Sequence, residues 1–321
     1  METQEYAVDG TFITAEMVDQ IDEADYEYYT LPDECKPPEI AYSFVPNDQV
    51  KFFTPYNKGD WDRLVFPEDD EYLDYEEEGL EKFDEYCSKK GESLDSSLTK
   101  RRKLRFLQAN HFKCKETLKN IQYHLEWRTK NVPLILSNDM SKTLVKEGMT
   151  YVFGRDRFFR PITVIRNKAI IEQKSSPEEA MEACNHVNLF VIQHMLIRGR
   201  VENFLVISDL ENVNYSKYPK KWGKLLVKEN QKNILCRVFR FFLLSASFGF
   251  RALWRVLSPF VDYKIQNKII MVKDMDCTEL KTIVHPDQLQ KCHGGNAKNQ
   301  KVFWPPTVPN QEFDHFEEMI E

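Results

Sequence analysis

The apolar positions of the chain change their spacing twice, near residue 90 and again near residue 148. Before the first change, isolated aromatics in KFFTPYNKGDWDRLVF stand among the prolines of LPDECKPPEI and the acids of PEDDEYLDYEEEGLEKFDEY. No regular period persists until about Glu76, after which Leu80, Phe83 and Cys87 line a short helix. This texture predicts an extended, acidic and aromatic arm over residues 1–92, largely irregular. From Ser96 the spacing becomes helical: Leu98, Leu104 and Leu107 form one stripe, the pattern breaks at Asn110 and His111, and Leu118, Ile121 and Leu125 form a second. Two or three short packed helices are therefore expected over residues 93–147.

Beyond Gly148 continuous apolar runs alternate with long helical patterns. PITVIRNKAI, NFLVISDL, RFFLLSA and KIIMV read as strands. SPEEAMEACNHVNLFVIQHMLIRG reads as a helix opened by a serine before a proline and closed by a glycine. YPKKWGKLLVKENQKNILCRV is helical and basic, and FRALWRVLSPFV is helical and apolar. Strands without polar alternation, separated by helices, predict an α/β fold with a mostly parallel sheet flanked by helices over residues 148–305. An acidic tail, residues 306–321, follows a proline-broken stretch.

Composition narrows the function classes. A formal charge of -7 over 321 residues gives no basic footprint for nucleic acid, and the chain has no P-loop pattern, so no nucleic-acid partner is expected. Seven scattered cysteines without a CxxC pair read as reduced thiols. The start METQEYAVDG lacks the basic and apolar regions of a signal peptide. FRFFLLSASFGFRALWRVL is broken by Arg251 and Arg255 before it reaches the roughly 20 apolar residues a bilayer requires. The expected location is cytoplasmic, either peripheral on membranes or within a large assembly such as a cytoskeletal one.

Catalytic and metal chemistry find no complete set. Asp209 and Glu211 lie two apart at a strand end without further partners. His186 and His194 are eight apart on one helix, too far for adjacent turns, and Cys292 with His293 is a single short pair, whereas a structural zinc takes about four ligands. No catalytic residue, metal or cofactor is expected.

The ordered motifs of residues 100–296 resemble a Sec14-like protein, a CRAL-TRIO lipid-binding domain preceded by its small helical domain. The family's LRFLRAR-F and WR appear as Leu104–Phe112 and Trp127–Arg128. Its D-x-x-GRPV appears as Asp156–Ile162, and its IxDLxG as Ile207–Asn212. INAPFGF…W…KPFLD…KI becomes Ser245–Phe250, Trp254, Ser258–Asp262 and Lys268–Ile269, and LPxxxGG becomes Leu289–Gly295. The resemblance implies no enzyme but a lipid site between the sheet and a mobile helix.

The residues give that implication a physical form. Leu253, Val256, Leu257 and Phe260 recur at helical spacing, while Arg251 and Arg255 carry charge. Burial of about 0.8 kcal/mol per methylene makes hiding a sixteen-carbon tail worth roughly 12 kcal/mol. The expected pocket or lid residues are Phe241, Leu243, Phe248, Phe250, Leu253, Trp254, Val256, Leu257, Phe260 and Ile269. Arg237, Arg240 and Lys268 are the headgroup candidates, and the ligand is a phospholipid or another hydrophobic molecule.

The chain also departs from the family pattern. Where inositol-binding members carry YPER, it has Ile234, Leu235, Cys236 and Arg237, and a thiol cannot grip a sugar diol as a carboxylate does. Phe159 replaces a glycine, Glu211 and Asn212 displace another, and Ser245 and Ser247 replace the asparagine and proline of INAP. The basic set Lys217, Lys220, Lys221, Lys224, Lys228 and Lys232 leaves three readings open: a face for anionic lipid, a solvated face, or a dock for the acidic arm. Two functions also stay open. One is non-catalytic binding, sensing or transfer of a lipid; the other is a structural subunit of a large assembly, anchored to a protein partner through residues 1–90.

Overall fold

A computed structural model describes residues 5–8, 11–14, 35–54, 61–67, 72–94, 98–131, 136, 138–214, 217–304 and 306. Residues 307–321 of the acidic tail and most of residues 1–34 lie outside them.

Among the first ninety residues, 35–54, 61–67 and 72–90 contribute buried side chains to the fold. A hairpin pairs β1 (Glu5–Val8) with β2 (Thr11–Thr14). Two short helices follow, α1 (Glu39–Ser43) and α2 (Asp48–Lys51), then a ribbon of β3 (Phe52–Phe53) and β4 (Asp62–Arg63) in which Phe53 faces Asp62. Cys35, Ala41, Val50, Phe53 and the run Leu64 to Phe66 are all buried. Of the described aromatics of this segment, Phe53 and Phe66 are covered by the chain itself, whereas Tyr42 and Tyr75 are exposed.

Helix α3 (Asp74–Lys90) begins two residues before the expected Glu76 and ends on Gly91, whose φ of +67° suits glycine. It packs Leu80, Phe83 and Cys87 against α4 (Lys100–Ala109) and α5 (Cys114–Asn131). His111 and Phe112, at φ +52° and +57°, make the break read from the sequence. The acids of α3 pair with α4, Glu77 with Lys100 at 2.6 Å and Asp84 with Lys103 at 2.7 Å. None of these described acids pairs with the lysine-rich helix near residue 224, and residues 68–71 of the acidic run lie outside the described residues.

After α6 (Asp139–Lys146), five strands make one sheet in the order β5 (Thr150–Arg155), β6 (Pro161–Arg166), β7 (Phe204–Asp209), β8 (Val238–Leu244) and β9 (Ile269–Met271). Only β5, the strand the sequence reading lacked, runs antiparallel to its neighbour. Pleating sends Ile165, Phe204 and Val206 to one face and Ile162, Val164, Leu205, Ile207, Phe242 and Leu244 to the other. Because both faces are covered, the strands read as continuous apolar runs.

Helices α7 (Asn167–Glu172) and α8 (Pro177–His194) connect β6 to β7. Ser176 and Glu179 close a capping box at the start of α8. That helix ends at His194, before the glycine expected to close it. Helix α9 (Lys220–Lys232) precedes β8, and α10 (Phe248–Leu257) with a 3₁₀ turn (Ser258–Phe260) and α11 (Tyr263–Gln266) precedes β9. Helix α12 (Thr278–Ile283) covers the opposite face with Leu280 and Val284.

One buried carboxylate joins three distant segments. Glu202 accepts bonds from Arg101 at 2.6 Å, from Arg105, and from the backbone N–H groups of Phe66 at 3.0 Å and Gly199 at 2.7 Å. Burial raises its pKa, but the two guanidiniums more than offset this and hold it below the usual carboxylate range. Among the described residues no helix is long and apolar enough to cross a membrane.

Candidate functional site, a cavity beneath helix α10

Helix α8 covers the sheet face at β5 to β7, and beyond its reach α9 and α10 arch over β8 and β9. They leave a cavity of about 420 Å³, within the range of small-molecule sites. Register fixes the floor. Phe241 lies opposite Ile269, and Leu243 stands two residues further along β8 on the same face. Trp222 and Leu226 of α9 form one wall, and Phe250, Leu253, Trp254 and Leu257 of α10 form the roof. These four recur at i, i+3, i+4 and i+7, one stripe of a helix.

The structure divides the apolar stripe expected on α10. Val256 precedes Leu257 and so points about 100° round the helix axis; it is 65% exposed. Phe260 lies in the 3₁₀ turn beyond the helix, 68% exposed, and Phe248 opens the helix at 84%. None of these three lines the cavity, whereas Phe241, Leu243, Phe250, Leu253, Trp254, Leu257 and Ile269 do. Ser247, in place of the family proline, caps α10 by accepting the Phe250 N–H. Gly249 falls in the first helical turn.

Of the headgroup candidates, Lys268 lines the cavity and Arg237 and Arg240 do not. Arg237 donates to the Glu202 carbonyl at 3.2 Å. Arg240 donates to the Asn267 carbonyl at 3.1 Å and stacks 4.5 Å from the Phe53 ring centre. Lys268 is itself held by Asp62 of β4, at 3.3 Å, and Lys264 reaches the other oxygen of that carboxylate at 2.7 Å. Burial raises the Asp62 pKa, but the two ammonium groups more than offset it, leaving the carboxyl below its usual range.

Sequence reasoning missed Asp62, because the contact with Lys264 spans 202 positions. It also missed what holds β4 there. Gln108, where the family motif has arginine, accepts from the Arg63 N–H at 2.8 Å and donates to the Arg63 carbonyl at 3.0 Å. The same amide contacts Cys236 Sγ at 3.2 Å. Burial pushes the Cys236 thiol pKa up, so it remains protonated.

The cavity also has an uncharged polar end. Tyr218 Oη donates to Asn167 Oδ1 at 2.7 Å, and Asn167 Nδ2 donates to Ser208 Oγ at 2.8 Å. All three residues line the space. Elsewhere, Asp209 takes the N–H of Glu211 at 2.8 Å while the Glu211 side chain faces solvent, so the two carboxylates do not converge. Among the described residues no three His, Cys, Asp or Glu side chains gather as a metal set.

Known proteins resemble this chain in sequence and in fold. A family model described as the CRAL/TRIO domain matches residues 145–295. Patellin-4 of Arabidopsis thaliana is 27% identical over 217 residues, which cover 65% of this chain and 39% of that protein. The phosphatidylinositol/phosphatidylcholine transfer protein SFH9 of the same plant is 24% identical over 213 residues, 61% of this chain and 37% of that one. The chain thus spans well under two thirds of the length of these relatives. The crystal structure of Sfh5 superposes with a TM-score of 0.54 over 78% of this chain and 99% of its own, a likeness in fold at 13% identity. Residues 145–295 thus match the CRAL/TRIO domain family in sequence, and the chain shares the α/β fold of such proteins.

Proposed function

We propose that this protein holds one lipid in the cavity beneath α10 and moves or senses it without covalent chemistry, with α10 as the lid. The observation that carries the reading is the hollow itself. Phe241, Leu243, Leu253, Leu257 and Ile269 line about 420 Å³ of space, and Phe241, Leu243 and Ile269 pack with Phe250 and Trp254 around it. An assembly subunit that used this domain only as a wedge would have no reason to keep that space open.

The outer face of α10 supports a lid that meets a bilayer. Phe248, Val256 and Phe260 are exposed together, and Lys224 of α9 stands 5.8 Å from the Phe260 ring centre. Exposed Lys221 and Lys228 continue that basic face. Apolar side chains beside lysines fit the boundary between headgroups and acyl chains of an anionic leaflet.

The test is uptake of a fluorescent single-chain lipid by the full-length protein. Leu253→Trp, which adds bulk to the roof, is expected to reduce uptake at least tenfold while the far-ultraviolet circular dichroism stays unchanged. Uptake equal to wild type in the folded variant would remove the cavity from the account.

A further inference from the structure

The charged end of the cavity is closed by a segment outside the CRAL/TRIO match. The β3–β4 ribbon brings Asp62 and Phe53 to the lysines and arginine a lipid phosphate would seek. Asp62 is 5% exposed, with one oxygen on Lys264 and the other on Lys268. Phe53 lies against Arg240 and, at 5.4 Å from its ring centre, against Lys268. The ribbon is firmly held: Gln108 clasps the Arg63 backbone from both sides, and the Arg63 guanidinium is paired with buried Glu76 at 2.6 Å. Gln108 and Cys236, two positions where the chain departs from the family motifs, touch each other beneath it.

An incoming phosphate would have to displace this carboxylate from both lysines or lie beside it. Displacement leaves a buried anion without its partners, and juxtaposition places two anions together where water screens them poorly. Building repulsion against the wrong ligand is a common route to specificity. The neutral end of the cavity offers the contrary. The chain from Tyr218 through Asn167 ends on the Ser208 hydroxyl, which accepts from Asn167 and retains its own proton for a lipid oxygen.

We infer that Asp62 is a specificity-determining residue that bars phosphate headgroups and reserves the cavity for a lipid whose polar end is an uncharged hydroxyl or carbonyl. The inference rests on the lipid-holding reading above, and its test separates the two. Full-length protein is incubated with phosphatidylcholine vesicles carrying equal amounts of a monoacylglycerol and the lysophosphatidic acid of the same acyl chain. The protein is then separated from the vesicles and its bound lipid weighed by native mass spectrometry.

Wild type is expected to retain the monoacylglycerol at least tenfold over the phosphate. Asp62→Asn, which leaves two uncompensated lysines, should narrow that ratio at least tenfold. The double variant Asp62→Asn with Lys268→Met, which restores the charge count, should return it most of the way. Equal retention of both lipids by wild type overturns the inference and leaves the cavity reading intact. So does an unchanged ratio in folded Asp62→Asn. Retention of neither lipid by wild type overturns the cavity reading itself. If Asp62→Asn does not fold, the wild-type ratio alone decides.

Discussion

Phe159 holds its backbone at φ +64°, a left-handed conformation that costs a residue with a side chain roughly 1–2 kcal/mol. The family pattern has glycine here, and the reason this chain tolerates phenylalanine is the burial of its ring against Phe44, edge-on at 5.5 Å. Truncating a buried phenylalanine costs about 3–5 kcal/mol, so Phe159→Gly is expected to lose about 2–3 kcal/mol net of the relieved strain. Urea denaturation measures this; a variant as stable as wild type would show that the ring contributes nothing. Asn212 at φ +55° shows the gentler form of the same replacement, since asparagine tolerates this region better than most residues. Such departures were legible in the sequence because they fall inside motifs. Asp62 was not legible, because nothing in GDWDRLVF marks one acid among many as the partner of two lysines some two hundred positions away.

At the scale of elements, the strands β6, β7 and β8 were readable because both faces are apolar, while β5 was obscured by the polar ends of TYVFGR and by its antiparallel place at the sheet edge. The helices around the site were readable in kind but not in rotation. Leucine, valine and phenylalanine at close spacing on α10 did not reveal that Val256 and Phe260 turn outward. That orientation carries a prediction. Phe248→Ser, Val256→Ser and Phe260→Ser together should weaken sedimentation with anionic vesicles roughly tenfold or more, since each exposed apolar side chain is worth on the order of 1 kcal/mol when buried. Unchanged sedimentation would place the membrane-facing surface elsewhere. The junction of the helical segment with the sheet domain is equally specific. Glu202→Ala would leave Arg101 and Arg105 buried without their carboxylate, a loss of about 3–5 kcal/mol. A denaturation midpoint equal to wild type would contradict that role.

Across the whole molecule, burial without charge makes stability depend on pH. Burial lowers the pKa of His186 to about 4, against a smaller opposing effect of Glu182, and lowers that of His194 to about 3. Below the unfolded value near 6.5 the unfolded chain takes up protons that the folded one refuses, so stability present at neutral pH is lost as pH falls toward the folded values. Between pH 7 and 5 each of these histidines is expected to account for about 2 kcal/mol. His186→Gln should flatten the curve by that amount, and parallel curves for variant and wild type would exclude the effect. The same whole-molecule view explains what composition could not supply. Acids and aromatics before residue 90 read as an extended, largely irregular arm, yet Phe53, Asp62 and Phe66 complete the cavity end and the Glu202 junction through contacts that only the fold creates.

The most direct test of the central claim is native mass spectrometry of the full-length protein as purified, with its organic extract identified by lipid analysis, beside Leu253→Trp. A single lipid bound at one per chain, and lost in the folded variant, is the result the cavity predicts. A folded wild-type protein that carries no lipid, and acquires none from mixed vesicles, would contradict it.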